Sequence, residues 1–168
     1  MELKSVMEEI SKDIADATRT LFETMIMIDL KFNNAAVVNQ PYIKADVAGL
    51  ISFMGKYHGL IGLFCSRKFS LQIASGMLME ELKAFTPETI DAIGEVSNMI
   101  AGNVKTKITA DYGEMILSIP IILVGGEPTC TEINSLPVSC FTKDPWLITN
   151  FSSGDEVFNI GLLLKETK

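Results

Sequence analysis

The chain is poor in the residues that most active sites use. Histidine occurs once, at His58, tryptophan once, at Trp146, and the three cysteines, Cys65, Cys130 and Cys140, form no CxxC pair. One histidine without paired cysteines argues against a dedicated zinc site. An odd number of cysteines without framework spacing reads as reduced thiols in a cytosolic protein. A phosphate-cradling loop is missing, because Gly125-Gly126 has neither the lysine nor the following helix start that such a loop needs. The strained G-x-S-x-G turn of hydrolases is missing as well. The first twenty residues, MELKSVMEEISKDIADATRT, are acidic and amphipathic rather than apolar, and no run reaches membrane-spanning length. The expectation is a soluble, cytoplasmic protein with no membrane partner. Positive charge is also scarce. Fourteen Lys and Arg against 21 Asp and Glu leave a formal charge of −7, which argues against a sequence-independent grip on nucleic acid or an anionic bilayer.

Apolar residues make up 48% of the chain and charged residues 21%, a balance that supports a packed core. Length and composition suggest one domain spanning residues 1–168. Residues 3–28 carry apolar side chains at three-to-four spacing and read as a helix. Residues 30–39 read as a strand of unassigned register. Two strand-like runs, 42–54 and 57–65, flank Gly55-Lys56 and suggest a hairpin. Ser70 is a candidate cap for a short helix over 71–80. Residues 115–124 read as a strand with Pro120 inside it. Three more strands are expected at 135–142, 146–151 and 157–164, the last two joined by a turn at Ser153-Gly154-Asp155. The sum is an α+β domain with a mainly antiparallel sheet and two long helices and one short helix packed on it. A faint internal repeat aligns Met25 with Met99, setting Ala17, Leu21 and Thr24 against Asp91, Glu95 and Asn98.

The stretch 86–108, TPETIDAIGEVSNMIAGNVKTKI, stands apart. Thr86 is a candidate N-cap, Pro87 suits the first helical position and Glu88 suits the positive helix end. Ile90, Ile93, Ile100, Val104 and Ile108 form an apolar face. Asp91, Glu95 and Asn98 fall in one row on the other, with Gly94 and Gly102 beside them. Such a row is either an ordinary wet surface or a site. Asn and two glycines sacrifice helix propensity, about 1 kcal/mol per glycine, which favours a face where a partner docks closely. An amide can hold a water by directed hydrogen bonds but has no useful pKa, whereas a carboxylate can pair with a lysine or arginine. The pair has no metal, nucleophile or strong base of its own. It suits insertion into another protein's site better than a free-standing one. His58, Trp146 and the helix methionines Met25, Met27, Met77, Met79 and Met99 read as ordinary strand and core residues.

Asp91-x-x-x-Glu95-x-x-Asn98, followed by Pro120 in a strand, resembles the signature of the CheC/CheX/FliY family of bacterial phosphatases that act on phosphorylated CheY. The stretch Ala17–Met25, ATRTLFETM, resembles the family's first helix. A single Glu/Asn pair makes the chain more similar to CheX than to CheC. The resemblance implies that Asn98 places the attacking water and Glu95 pairs with a lysine of the receiver. Asp91 belongs to the signature, and docking contacts are expected at Asp91, Gly94 and Gly102; the resemblance further implies no cofactor of the chain's own, Mg²⁺ supplied by the receiver, and a homodimer joined through sheet edges. Nucleic acid is not an expected partner. The alternative is a non-catalytic module of the same fold that binds a receiver or a flagellar switch component.

Overall fold

The computed structural model describes residues 3–39, 43, 45–125 and 144–167. Helix α1 spans Leu3–Leu21 and ends in one π-helical turn, Phe22–Ile26. The strands are β1 (Lys31–Asn39), β2 (Val47–Gly55), β3 (Tyr57–Cys65), β4 (Met115–Leu117), β5 (Ile121–Val124), β6 (Pro145–Ser153) and β7 (Glu156–Glu166). Helices α2 (Arg67–Leu78) and α3 (Pro87–Tyr112) lie between β3 and β4. The sheet runs β1-β6-β7-β3-β2-β4, with β5 also on β2, and every pairing is antiparallel. This is the α+β architecture expected from the hydrophobic periods. Cys130, Cys140 and the strand expected at 135–142 lie outside the described residues.

The sheet order is that of a duplicated unit. Each unit is a helix, an edge strand and a hairpin, and each gives its edge strand to the other unit's hairpin: β1 joins β6–β7, while β4 and β5 join β2–β3. The two hairpins meet along β3 and β7, where Gly62 pairs with Gly161. Both glycines are needed there. A methyl group on Gly62 would strike the Phe64 ring, and one on Gly161 would press on both Phe64 and Trp146. These two rings cross edge to face at 6.5 Å and anchor the apolar cluster on the sheet face away from the helices.

The main core lies between the helices and the other face of the sheet. Phe22, Phe69, Phe151 and Phe158 stack in a column, with Phe158 centred 4.9 Å from Phe69 and 5.1 Å from Phe151. Ile93, Val96, Ile100, Val104 and Ile108 bury the apolar side of α3 in this core, as their spacing requires. Ile90 is only half-buried. The helix seats Ser97 directly on β2, because Gly49 beneath it has no side chain; any Cβ there would overlap the Ser97 hydroxyl. That hydroxyl turns back to the Ile93 carbonyl at 2.7 Å.

Several local expectations change. The cap of α2 is Ser66, whose extended backbone lets its hydroxyl accept from the Phe69 amide at 2.9 Å. Ser70 sits inside the helix and donates to the Arg67 carbonyl. The proline strand is two strands, because Ser118–Pro120 bulges between β4 and β5: Leu117 still faces Phe53, but the next pair is Ile121 with Leu50. β1 has a matching irregularity between Phe32 and Asn34 against β6. Trp146 is fully buried, whereas Met25, Met27 and Met79, read as core residues, are exposed because they fall on the outer side of their helix ends.

Candidate functional site

Thr86 starts α3 from extended backbone. Its amide donates to Thr89 Oγ1 at 3.2 Å, closing a capping box in which Thr89 takes the role usually held by Glu or Gln. Pro87 and Glu88 fill the first turn as expected. The 26-residue helix is fixed along one side by the core, and by Lys107, 3.8 Å from Asp13 of α1.

Asp91, Glu95 and Asn98 are all exposed on the opposite side. Spacings of four and three residues put them along one row. Among the described residues, none of the three takes part in a hydrogen bond or an ion pair. The row therefore has two carboxylates and one amide with their hydrogen-bonding capacity directed at solvent. Gly102 continues this side one turn on, and a Cβ there would meet nothing within 4 Å. Gly94 behaves differently. It is buried, and a Cβ on it would sit 3.5 Å from Pro120 Cγ, an ordinary contact. Its neighbour is this chain's own bulge.

That bulge adds what the sequence pattern alone did not reveal. Ser118 ties its start to β2 by two bonds to Ser52, its amide donating to the Ser52 carbonyl at 2.8 Å and its hydroxyl accepting from the Ser52 amide at 3.0 Å. The same hydroxyl bonds the Ile119 carbonyl at 2.9 Å, so Ile119 stands out at 83% exposure on a fixed backbone. The only hint in the sequence is a proline inside an otherwise regular strand. The rest is geometric: the bulge brings Pro120 against α3 at Gly94, where even a methyl group would make only an ordinary contact.

The other chemically capable groups lie elsewhere. Cys65 is buried, and burial, reinforced by Asp46 and Glu156, pushes its thiol up to about 12, so it stays protonated and a poor nucleophile at neutral pH. His58 is half-buried near the start of β3 with Nδ1 3.1 Å from Thr167 Oγ1, just past the end of the neighbouring β7. Glu156 is held below its ordinary range by the Ser66 hydroxyl at 2.5 Å and by Lys68 at 2.9 Å; this trio ties α2 to β7. Among the described residues no group of three His, Cys, Asp or Glu side chains converges as metal ligands, and no helix is long and apolar enough to cross a membrane.

The duplicated architecture locates the counterpart of this row. Buried Ile14, Ala17, Thr18, Leu21, Phe22 and Ile26 of the first unit match buried Thr89, Ala92, Ile93, Val96, Ser97 and Ala101. Asp16, Thr20 and Glu23 then stand where Asp91, Glu95 and Asn98 stand. The sequence alignment through Met25 and Met99 is one residue out, because it sets the buried Ala17 and Leu21 against exposed carboxylates. Arg19, at the position of Gly94, reaches Asp16 at 3.3 Å and Glu23 at 3.9 Å.

A helix-on-sheet domain with one open Asp/Glu/Asn row has clear structural relatives. CheX from Vibrio vulnificus matches at a TM-score of 0.77 and 21% identity, over 94% of this chain and 99% of that one. CheX from a Desulfovibrio desulfuricans subspecies matches at 0.78 and 23%, over 94% and 99%. The Borrelia burgdorferi CheX-CheY-BeF3-Mg²⁺ complex matches at 0.72 and 22%, over 92% and 97%. At these identities the likeness establishes the fold. No curated protein matches the sequence. The family model described as chemotaxis phosphatase CheX matches residues 47–143, more than half of the chain and all of α3. The chain belongs to the CheX family.

Proposed function

We propose that this chain is a cytoplasmic phosphatase that removes the aspartyl phosphate from a phosphorylated CheY-like response regulator in chemotaxis. The observation that carries this reading is the pairing of Glu95 and Asn98, exposed and unengaged one turn apart on a core-anchored helix of a CheX-family chain. The helix is inserted into the receiver's acidic pocket. Glu95 pairs with a receiver lysine and sets the depth and angle of docking. The Asn98 amide donates to and accepts from a water, holding it in line with the phosphorus. Nothing in this step requires a general base on the chain, because positioning alone can supply much of a hydrolytic rate gain. Mg²⁺ is assigned to the receiver, where it neutralises charge on the phosphoryl oxygens.

Asp91 and Gly102 flank the pair and are assigned to the docking face. Gly94, beside the pair and against the Ser118–Pro120 bulge, is assigned to the border of the same face. The similarity in fold to a CheX solved together with CheY supports the choice of partner. Among the described residues β1 and β4–β5 lie at the two edges of the sheet, which supports a homodimer built by edge pairing.

Phosphate release from a phosphorylated CheY-like receiver, followed with and without this chain, tests the reading. Acceleration is expected from the wild type and not from Asn98→Ala, while Glu95→Ala weakens both binding and rate. An Asn98→Ala protein that is fully active would sink the mechanism. Binding to the receiver with no turnover in either version would instead indicate the non-catalytic module of the same fold. Sedimentation equilibrium tests the dimer.

A further inference from the structure

A second surface of the molecule is built in an unusual way. Between the π-helical turn and α2 lies a groove of about 700 Å³, walled by Ile26, Met27, Ile28, Leu71, Met79 and Leu82. Two of its lining residues have left-handed backbone, Met27 at φ 59° and Met79 at φ 53°. Both cap a helical segment, a position where glycine or asparagine is the unstrained choice. Methionine occupies it twice, and the side chains are 71% and 85% exposed. The backbone cost is thus borne at two separate helix ends to hold flexible, polarisable side chains over the same groove.

The rim is acidic. Glu80 and Glu81 line the groove and enter no ion pair among the described residues. The lysine that lines it, Lys68, is already held by Glu156 at 2.9 Å. The walls are two helix ends and the short segments that leave them, where the amides of Ile28, Met79, Glu80 and Leu82 are bonded within the chain, so the groove offers no strand edge for an extended peptide. An occupant must bring its own satisfied backbone, apolar side chains for the methionines and positive charge for the glutamates.

From this we infer that the Met27–Met79 groove is a docking site for an amphipathic helix with a basic face, contributed by a partner protein. It is separate from the Asp91–Asn98 row and independent of the phosphatase reading. The probe is a fluorescent Leu/Lys amphipathic peptide of about 18 residues, with a Leu/Glu peptide of the same pattern as control. The test protein is the full chain, compared with a Met27→Asn/Met79→Asn double variant; asparagine keeps the left-handed caps and removes the apolar side chains.

Anisotropy is expected to show the Leu/Lys peptide binding about tenfold more weakly to the double variant, and the Leu/Glu peptide not binding. In the wild-type chain with ¹³C-methyl methionine, the Met27 and Met79 resonances shift on titration and that of buried Met115 does not. Equal affinity for the double variant, equal binding of the Leu/Glu peptide, or unshifted Met27 and Met79 methyls would overturn the inference. So would wild-type self-association that the double variant abolishes, because the occupant would then be a second copy of this chain.

Discussion

The exposed rows on α1 and α3 come from two halves with the same plan, yet only one is chemically open. On α3, Asp91, Glu95 and Asn98 meet no partner among the described residues. On α1, Arg19 lies between Asp16 and Glu23 and answers both carboxylates. Residue 94 at Arg19's counterpart position is glycine, which has no side chain to answer Asp91 or Asn98. The same packing against the sheet thus supports a neutralised surface in one half and an available carboxylate-amide pair in the other. What differs is a few exposed side chains. Most buried positions of the two helices correspond, although exposed Arg19 falls opposite buried Gly94 and exposed Met25 opposite buried Ile100, so divergence of the site needed little change in the fold.

The largest expected break in this comparison is catalytic. Asn98→Ala should lower receiver dephosphorylation by about 100-fold or more, as loss of a water-positioning group does elsewhere, while Glu23→Ala on α1 should leave it unchanged. Both rates are read from the same phosphate-release assay. Next comes the scaffold. Gly49→Ala forces a methyl into the Ser97 hydroxyl, pushing α3 off β2 at the level of Asn98, and should cost about 1–3 kcal/mol in urea unfolding. Activity should fall with it even where the variant is fully folded.

A smaller effect concerns the link from α2 to β7. Ser66→Ala removes both the cap of α2 and the hydroxyl bound to Glu156, for an expected loss of about 1–2 kcal/mol. The carboxyl of Glu156 is lowered from 4.5 in the folded chain, chiefly by that hydroxyl and then by Lys68. Its contribution is therefore complete above the unfolded value and is lost as pH falls through the folded one. Glu156→Gln should flatten the stability profile below about pH 4.5, where the wild type loses stability; thermal melts across that range read the difference. The smallest effect is expected from Arg19→Ala. Its two ion pairs are exposed and worth about 0–1 kcal/mol together, and freeing Asp16 and Glu23 should not create phosphatase activity, since the first half lacks the Glu/Asn chemistry. A gain in rate from Arg19→Ala would mean that the two rows are more alike than their residues suggest.

The parts of the molecule with strong periodicity were legible without coordinates. Ile93, Ile100, Val104 and Ile108 repeat at helical spacing because one side of α3 must be dry, and that places Asp91, Glu95 and Asn98 on the wet side. The hairpin at Gly55-Lys56 and the caps at Thr86-Pro87 follow from local backbone preferences of the residues themselves. Local chemistry misplaced one cap. Ser70 read as the cap of α2, but the extended backbone at Ser66, with Glu156 reaching it from β7, puts the cap four residues earlier.

Sequence alone therefore determined which residues could do chemistry and on which side of α3 they stand, because side-chain period and residue type are properties of the chain itself. Tertiary structure decided what those residues face. It set α1 against α3 in a duplicated sheet and corrected their alignment by one residue, since only burial distinguishes Asp16 from Ala17 as the counterpart of Asp91. It also folded Pro120 onto Gly94, and it brought Met27 and Met79 from distant helix ends to one groove. Contacts between residues far apart in the chain depend on how the elements pack, and no local pattern records them.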